Sequence, residues 1–224
     1  MIVGNGLIAR SFINKLEHDA YVIFASGVSN SSETDKKKFN RESELLNNII
    51  YQNPKKKLIY FTSVLDDSDS PYYNHKKEME SLIKNLCENF IIYRIPQIIG
   101  PIGNRLNLVN AVTDSIRNGN VITVYDEIKR SIIDIDDLID IVNYSIEFFI
   151  NDYVNISYIE SMTVIEIVQL ISDILKIKAK IQTISGKGSF ENWNLENSRI
   201  VIDWINKNKI QTHGYTNTIL RKYL

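Results

Sequence analysis

The residue types best able to do chemistry lie in the run Ser70-Pro71-Tyr72-Tyr73-Asn74-His75-Lys76-Lys77-Glu78-Met79-Glu80, which holds two overlapping Tyr-x-x-x-Lys pairs. On a helix, residues three and four apart share a face. Tyr72 and Lys76 then stand with Met79 and Ile83, whereas Tyr73 and Lys77 stand with Glu80 and Lys84 on an adjacent polar face. The inward pair is Tyr72 and Lys76, and His75 is expected to project off their face. An ammonium one turn from a phenol favours the phenolate, so Tyr72 is expected to fall from the ordinary tyrosine value of about 10 and trade protons near neutral pH. Lys76 could also hold a cofactor ribose. Just upstream, Tyr60-Phe61-Thr62-Ser63 ends an apolar run of strand length. A hydroxyl at a strand's carboxyl end points into the crevice where open α/β sheets bind ligands. Ser63 is the candidate, with Thr62 replacing it if the register slips by one.

A second constellation sits near the start. Gly4-Asn5-Gly6-Leu7-Ile8-Ala9 follows the apolar pair Ile2-Val3 and opens a helix, matching G-x-G-x-x-A in a strand-turn-helix context. The first glycine permits the turn, the second lets backbone approach a pyrophosphate, and Ala9 lets helix and sheet pack closely. The amides of Leu7 and Ile8 would then face the phosphates from the helix start.

These groups need a scaffold, and the pattern supplies one. Strand-length apolar runs alternate with amphipathic stretches, the signature of parallel βαβ architecture. Strands are expected at Ile2-Val3, 20–25, 57–62, 90–95, 121–124 and 154–157, and helices at 7–16, 37–51, 72–88, 106–118, 136–149 and 163–175. Thr163 with Glu166 forms a capping box for the last of these. Beyond Ser185 the pattern loosens into two short helix-like pieces. A single compact unit is expected, with residues 1–100 carrying the sheet and turn and 101–224 forming mainly a second, substrate-facing part interleaved with it.

Bulk properties narrow the class. The 224 residues are 44% hydrophobic, enough to bury a full core. With 26 Lys and Arg against 27 Asp and Glu, the net charge of −1 offers no field for nucleic acid. The single cysteine, Cys87, excludes an internal disulfide and a thiolate zinc site and fits a reducing, cytoplasmic setting. His18, His75 and His213 are scattered without metal-binding spacing, so no metal is expected. No signal-peptide pattern and no membrane-length apolar run is present, so a soluble protein without a membrane partner is expected.

The ordered set Gly4-x-Gly6-x-x-Ala9, Ala25-Ser26-Gly27, Thr62-Ser63, Tyr72-x-x-x-Lys76 and Arg94-Ile95-Pro96-Gln97-Ile98-Ile99-Gly100-Pro101 resembles the extended short-chain dehydrogenase/reductases. More narrowly, it is similar to the NAD-dependent epimerase/dehydratase group that acts on nucleotide-linked sugars. The resemblance runs from Gly4 to about Leu175. It implies a Rossmann-like, doubly wound parallel sheet with a small C-terminal substrate-binding lobe, a nicotinamide cofactor, a nucleotide-sugar substrate, and a homodimer formed through the helices at 37–51 and 72–88. It implies that Ser63 polarises the substrate, Tyr72 is the general acid/base, and Lys76 binds the nicotinamide ribose. It also implies that Pro96-Gln97 pass beside the nicotinamide and that Asn104 and Arg130 contact substrate, Arg130 clamping a diphosphate.

The chain departs from that pattern in ways that matter. Gly4 to Ser63 leaves room for two βαβ passages of about 30 residues each, so the sheet should have fewer strands than the family's, with those of the adenosine half missing. The acidic residue expected about 20 positions after the glycines goes with them. Arg10 beside the turn, or Lys36 to Lys38, could instead meet a 2′-phosphate, which slightly favours NADP(H) over NAD(H); a solvated charge run is the other reading of the lysines. Where the family's dehydratases carry an Asp-Glu pair, this chain has Val64 and Leu65, which move no protons. Cys87 lies too far along its helix to assist a double epimerisation. Reduction of a keto group on a nucleotide-linked sugar remains, as in surface-polysaccharide or deoxysugar and heptose biosynthesis. A 4-epimerase and a non-catalytic NADP-binding scaffold or sensor are the alternatives.

Overall fold

The computed structural model describes residues 1–13, 15, 19–101, 107–156, 159–185, 190–191 and 198–224. In chain order the elements are β1 (Ile2–Val3), α1 (Leu7–Ser11), β2 (Tyr21–Phe24), α2 (Lys36–Gln52), β3 (Lys57–Ser63), β4 (Leu65–Asp66), α3 (Pro71–Leu86), β5 (Phe90–Ile95) and β6 (Gln97–Ile99). Then follow α4 (Leu108–Arg117), β7 (Val121–Tyr125), β8 (Lys129–Asp134), α5 (Ile135–Ser145), β9 (Asp152–Asn155), β10 (Ser161–Thr163), α6 (Val164–Leu175), β11 (Lys180–Ile184), β12 (Phe190–Glu191), α7 (Arg199–Asn208) and α8 (Tyr215–Tyr223).

Side-chain alternation sets both faces of the main sheet. Its five strands run parallel in the order β1-β2-β3-β5-β9. The register aligns Val3, Phe24, Tyr60, Ile92 and Tyr153 in one row across it. That row packs with Leu46 of α2 and with Met79 and Ile83 of α3. The neighbouring row, Ile23, Ile59 and Ile91, packs on the opposite face with Leu138, Ile139 and Val142 of α5. Both faces are covered, as parallel strands require. The sheet is Rossmann-like and of reduced strand number: among the described residues no strand lies beyond β1.

The later segments fold over the sheet's carboxyl end. β6, β8 and β10 form one small sheet and β7 with β11 another, while β4 and β12 pair antiparallel. The run Lys129–Asp134, just before the helix expected at 136–149, is a strand. Asp134 caps α5, its carboxylate accepting the Asp136 N–H at 2.9 Å, while Asp136 and Asp137 fill the first turn. The expected capping box at Thr163 and Glu166 is present. The strand expected at 154–157 is displaced to Asp152–Asn155, and Ser157 lies outside the described residues. Helix α1 is short, Leu7–Ser11, and positions 14 and 16 of the longer helix expected there likewise lie outside them.

Helix α2 is anchored by Leu46, which has no exposed surface. Leu46→Ala should cost about 2 to 5 kcal/mol by leaving a cavity between α2 and the sheet. Urea denaturation should show a lower midpoint with an unchanged slope.

Candidate active site

The glycine turn is built as its sequence requires. Gly4 adopts φ +129°, and a Cβ there would lie 2.4 Å from the Ala25 carbonyl oxygen, so no side chain fits between β1 and the end of β2. Gly6 caps α1 in extended backbone with open space around it. Gly4, Asn5 and Gly6 are exposed, Leu7 and Ile8 are half-buried, and Ala9 is buried against the sheet. Leu7 reaches Gly100, where an added Cβ would come within 2.9 Å of it. The exposed guanidinium of Arg10 donates to the Asn5 carbonyl at 2.7 Å.

At the end of β2, Ala25 donates its N–H to the Val3 carbonyl at 2.8 Å. Ser26 accepts through its carbonyl from Arg41 at 3.2 Å. Gly27 lies against α2 and α3, a Cβ there falling 2.8 Å from both the Glu42 Oε1 and the Lys76 Nζ. The Lys36 to Lys38 run is exposed in the first turn of α2, and Lys38 pairs with Glu33.

The Lys76 ammonium is buried and closed. It donates to Glu42 Oε1 at 2.9 Å, to Glu42 Oε2 at 3.2 Å and to the Tyr60 hydroxyl at 3.5 Å. Glu42, with no exposed surface, also accepts from the Tyr60 hydroxyl at 2.6 Å and from the Val28 N–H at 2.6 Å, and its Oε2 lies 3.1 Å from His75 Nε2. Burial pushes the Glu42 carboxyl up. The bond from His75, the Lys76 charge, and the bonds from Tyr60 and Val28 outweigh that and hold it at about 2. Burial lowers Lys76, and Glu42 opposes the fall.

Tyr72 is buried in an apolar box of Val28, Phe39, Leu65 and Tyr73. The Lys76 Nζ sits 5.6 Å from its ring centre and Tyr73 packs edge-on at 5.0 Å. The expected depression of its pKa does not occur. Burial above all, then Tyr73 and Glu42, raise the phenol well above the usual tyrosine range, and the Lys76 charge beside it is paired with Glu42. Two further expectations change for one reason, the packing of α2 and β5 along α3. His75 is buried and stacks on Phe39 at 4.6 Å, and Glu80 is buried as the partner of Arg94, accepting two bonds at 3.1 and 2.6 Å.

Ser63 closes β3, half-buried, its Oγ accepting the Leu65 N–H at 3.0 Å. Thr62 is buried with no partner for its Oγ1. Pro96 is buried between β5 and β6, and Gln97 opens β6. A cavity of about 470 Å³ is lined by Leu65, Tyr73, Gln97, Val112, Tyr125 and Arg130. The structure therefore gathers Tyr73, Gln97 and Arg130 on one side of α3, while Tyr72 and Lys76 stand beside Gly27 on the other. Asn104 lies outside the described residues. A larger cavity, about 690 Å³, opens at the opposite, amino-terminal end of the sheet and contains none of these groups. Among the described residues no cluster of acidic, histidine or cysteine side chains could hold a metal, and no helix is long and apolar enough to cross a membrane.

Two observations fit a nicotinamide dinucleotide along this rim. The Gly4 to Gly6 turn is exposed, with open space around Gly6 and Gly4 held against the Ala25 carbonyl where no side chain fits, and Thr62 presents a buried hydroxyl without a partner. Glu42 and Arg41 were not singled out from sequence. Nothing in the spacing of α2 marks them, although a glutamate four positions after the lysine run and four before Leu46, on the buried face of an amphipathic helix, is the available signal.

By sequence the chain matches no family model and no curated protein. Its backbone is similar to that of dTDP-glucose 4,6-dehydratase from Bacillus anthracis, solved with NAD, at TM-score 0.64 and 15% identity over 83% of this chain and 66% of that one. It is similar to UDP-N-acetylglucosamine 4-epimerase from Methanobrevibacter ruminantium at TM-score 0.65 and 18% identity, over 90% and 74% of the two chains. It is also similar to RMD from Pseudomonas aeruginosa, complexed with NADPH, at 0.61 and 15%, over 84% and 82%. The chain thus spans just under two thirds of the dehydratase's length.

Gln is the uncharged isostere of a protonated Glu, so Glu42→Gln and the wild type should converge in stability at low pH. Glu42 is depressed on folding from an ordinary 4.5 to about 2, so its contribution is complete above about 5 and lost as pH falls through 2. Denaturation across this window should show a gap on the order of 3 kcal/mol at neutral pH, closing towards pH 2. A gap independent of pH would contradict the burial of an ionised Glu42. With its mostly parallel, doubly covered sheet and glycine turn, the chain has a Rossmann-like α/β fold similar to that of these nucleotide-sugar dehydratase and epimerase structures.

Proposed function

We propose that this chain is a nicotinamide-dependent oxidoreductase that reduces a keto group on a nucleotide-linked sugar. The observation that supports the reading is that Ser63 and the Gly4 to Gly6 turn stand at the carboxyl ends of β3 and β1 in one parallel sheet, with the Tyr72 and Lys76 helix α3 following β3. The Leu65 N–H occupies a lone pair of Ser63 Oγ and leaves its hydroxyl hydrogen to donate to a substrate carbonyl oxygen. The Tyr72 phenol, held protonated by its apolar box, is suited to give a proton to the alkoxide that reduction creates. The cofactor would supply a hydride. Gly4, Gly6 and the Leu7 and Ile8 amides would hold its diphosphate, and Thr62, Pro96 and Gln97 would flank its nicotinamide end.

Neighbouring residues favour this reaction over the others. Val64 and Leu65, directly after the serine, carry no ionisable group, which disfavours dehydration. Cys87 ends α3 at the far end of the helix with its thiol raised to about 11 by burial, which disfavours a second epimerising acid. The open side of β1 gives the adenosine half no strand to grip, so a cofactor that exchanges each turnover suits the fold better than one an epimerase must retain. The cavity beside Tyr73, Gln97 and Arg130 suits a nucleotide sugar, with the planar guanidinium placed for a diphosphate. Arg10 and Arg41, on the two rims of the crevice, favour a 2′-phosphate and hence NADP(H). A second copy would pair through α2 and α3.

The test is loss of NADPH absorbance with a panel of 4-keto-6-deoxy and heptose sugar nucleotides. Turnover should fall at least about a hundredfold in Tyr72→Phe, and Ser63→Ala should fall with it. No turnover with any of them, together with no cofactor binding by calorimetry, would sink the reading. Arg41→Ala should weaken NADPH binding by about tenfold while leaving NADH binding unchanged. Equal loss for both would refute the 2′-phosphate assignment.

A further inference from the structure

The buried cluster on α2 and α3 goes beyond what a reductase site needs. Proton donation calls for a phenol, and cofactor binding calls for a lysine free to reach a ribose. Here the three ammonium hydrogens of Lys76 meet acceptors within the protein, at 2.9, 3.2 and 3.5 Å, and two of those three contacts go to one carboxylate. Glu42 spends its lone pairs on Lys76, Tyr60, Val28 and His75. A buried carboxylate with this many donors is ionised, and an ionised carboxylate 2.9 Å from an ammonium cancels its field at a third group several ångströms away.

That third group is Tyr72. The groups facing it are few: Lys76 one turn on along α3, Glu42 from α2, Tyr60 from β3 behind the lysine, and Tyr73 edge-on. Val28, Phe39 and Leu65 complete the enclosure and carry no charge. The state of the phenol therefore rests first on its burial and then on how much of the nearby Lys76 charge Glu42 leaves uncancelled.

We propose that Glu42 is a positioning residue for the reaction, closing Lys76 into an internal ion pair so that Tyr72 stays protonated across the neutral range and serves as a proton donor rather than a proton acceptor. This rests on the reading of Tyr72 as the acid of a reduction. In that step the Tyr72 O–H bond breaks, the proton joins the substrate alkoxide oxygen, and the phenolate left behind is reprotonated from solvent before the next turnover. The reverse step, alcohol oxidation with phenolate as base, starts only at alkaline pH. The burial that raises the phenol works in the same direction.

Tyr72 can be watched without turnover. Biosynthetic incorporation of a ring-fluorinated tyrosine, whose phenol is intrinsically more acidic, brings its titration into a range where the protein stays folded. The Tyr72 fluorine resonance is assigned by its loss in Tyr72→Phe. In Glu42→Gln the midpoint should move down by about 1 to 3 pH units as the Lys76 charge is uncovered. In the double variant Glu42→Gln, Lys76→Gln it should return to the wild-type position, and in Lys76→Gln alone it should lie above it. A Glu42→Gln midpoint at the wild-type value, or a double variant displaced as far as the single one, overturns the proposal. Should Glu42→Gln fail to fold, a Lys76→Gln midpoint at or below wild type overturns it equally. Full turnover in Tyr72→Phe would instead remove the reductase reading and leave the resonance result intact.

Discussion

A carboxylate with none of its surface in water persists only where its oxygens are supplied with donors, and Glu42 is supplied from four directions. Removing a charge of that kind from water costs several kcal/mol, and only good geometry repays it. Meeting the condition fixes much else. Helix α2 must lie at one rotation and one height, so that Glu42 reaches Lys76, while Leu46 one turn later fills the sheet. Residue 27 must be glycine, because a Cβ would enter the carboxylate and the ammonium together. Tyr60 must be tyrosine rather than phenylalanine, since its hydroxyl both donates to Glu42 and accepts from Lys76. The pair thus ties β2, β3, α2 and α3 into one arrangement at the sheet's carboxyl end.

The sheet supplies the other constraint. Parallel strands covered on both faces place their carboxyl ends, and whatever hydroxyls and glycines stand there, along a single rim. Ser63, Gly4 and Gly27 fall on that rim because β1, β2 and β3 are in parallel register, not because they are near in sequence. β1 is only two residues long and is an edge, so the glycine turn lies at the border of the sheet rather than at an inner switch point between two halves. Among the described residues, no strand pairs with the outer edge of β1.

What could be read from sequence divides along the same line. The parallel α/β class, the main strands, the glycine turn and the inward face of Tyr72 and Lys76 all follow from local periodicity, and the structure contains them. The short strands β4, β6, β8, β10 and β12 were not legible, since two to six residues that pair only with distant segments leave no run of their own. Nor was the environment of α3. A helical wheel separates the Tyr72 and Tyr73 faces but treats the second as solvent-facing, whereas Tyr73 and Glu80 are buried there, Glu80 against Arg94 of β5, and α2 buries His75. The direction of the Tyr72 shift failed for the same cause. Lys76 one turn away is visible in the sequence; Glu42, thirty-four positions earlier, is not.

The two tyrosines now read as a division of labour set by packing. Tyr73 faces the cavity shared with Gln97 and Arg130, and Tyr72 faces the lysine and Gly27. Their edge-on contact at 5.0 Å makes Tyr73 the wall between cavity and charged cluster. Under the proposed reductase reading, Tyr73 would control access and Tyr72 would supply the proton, with Glu42 acting on Tyr72 through Lys76.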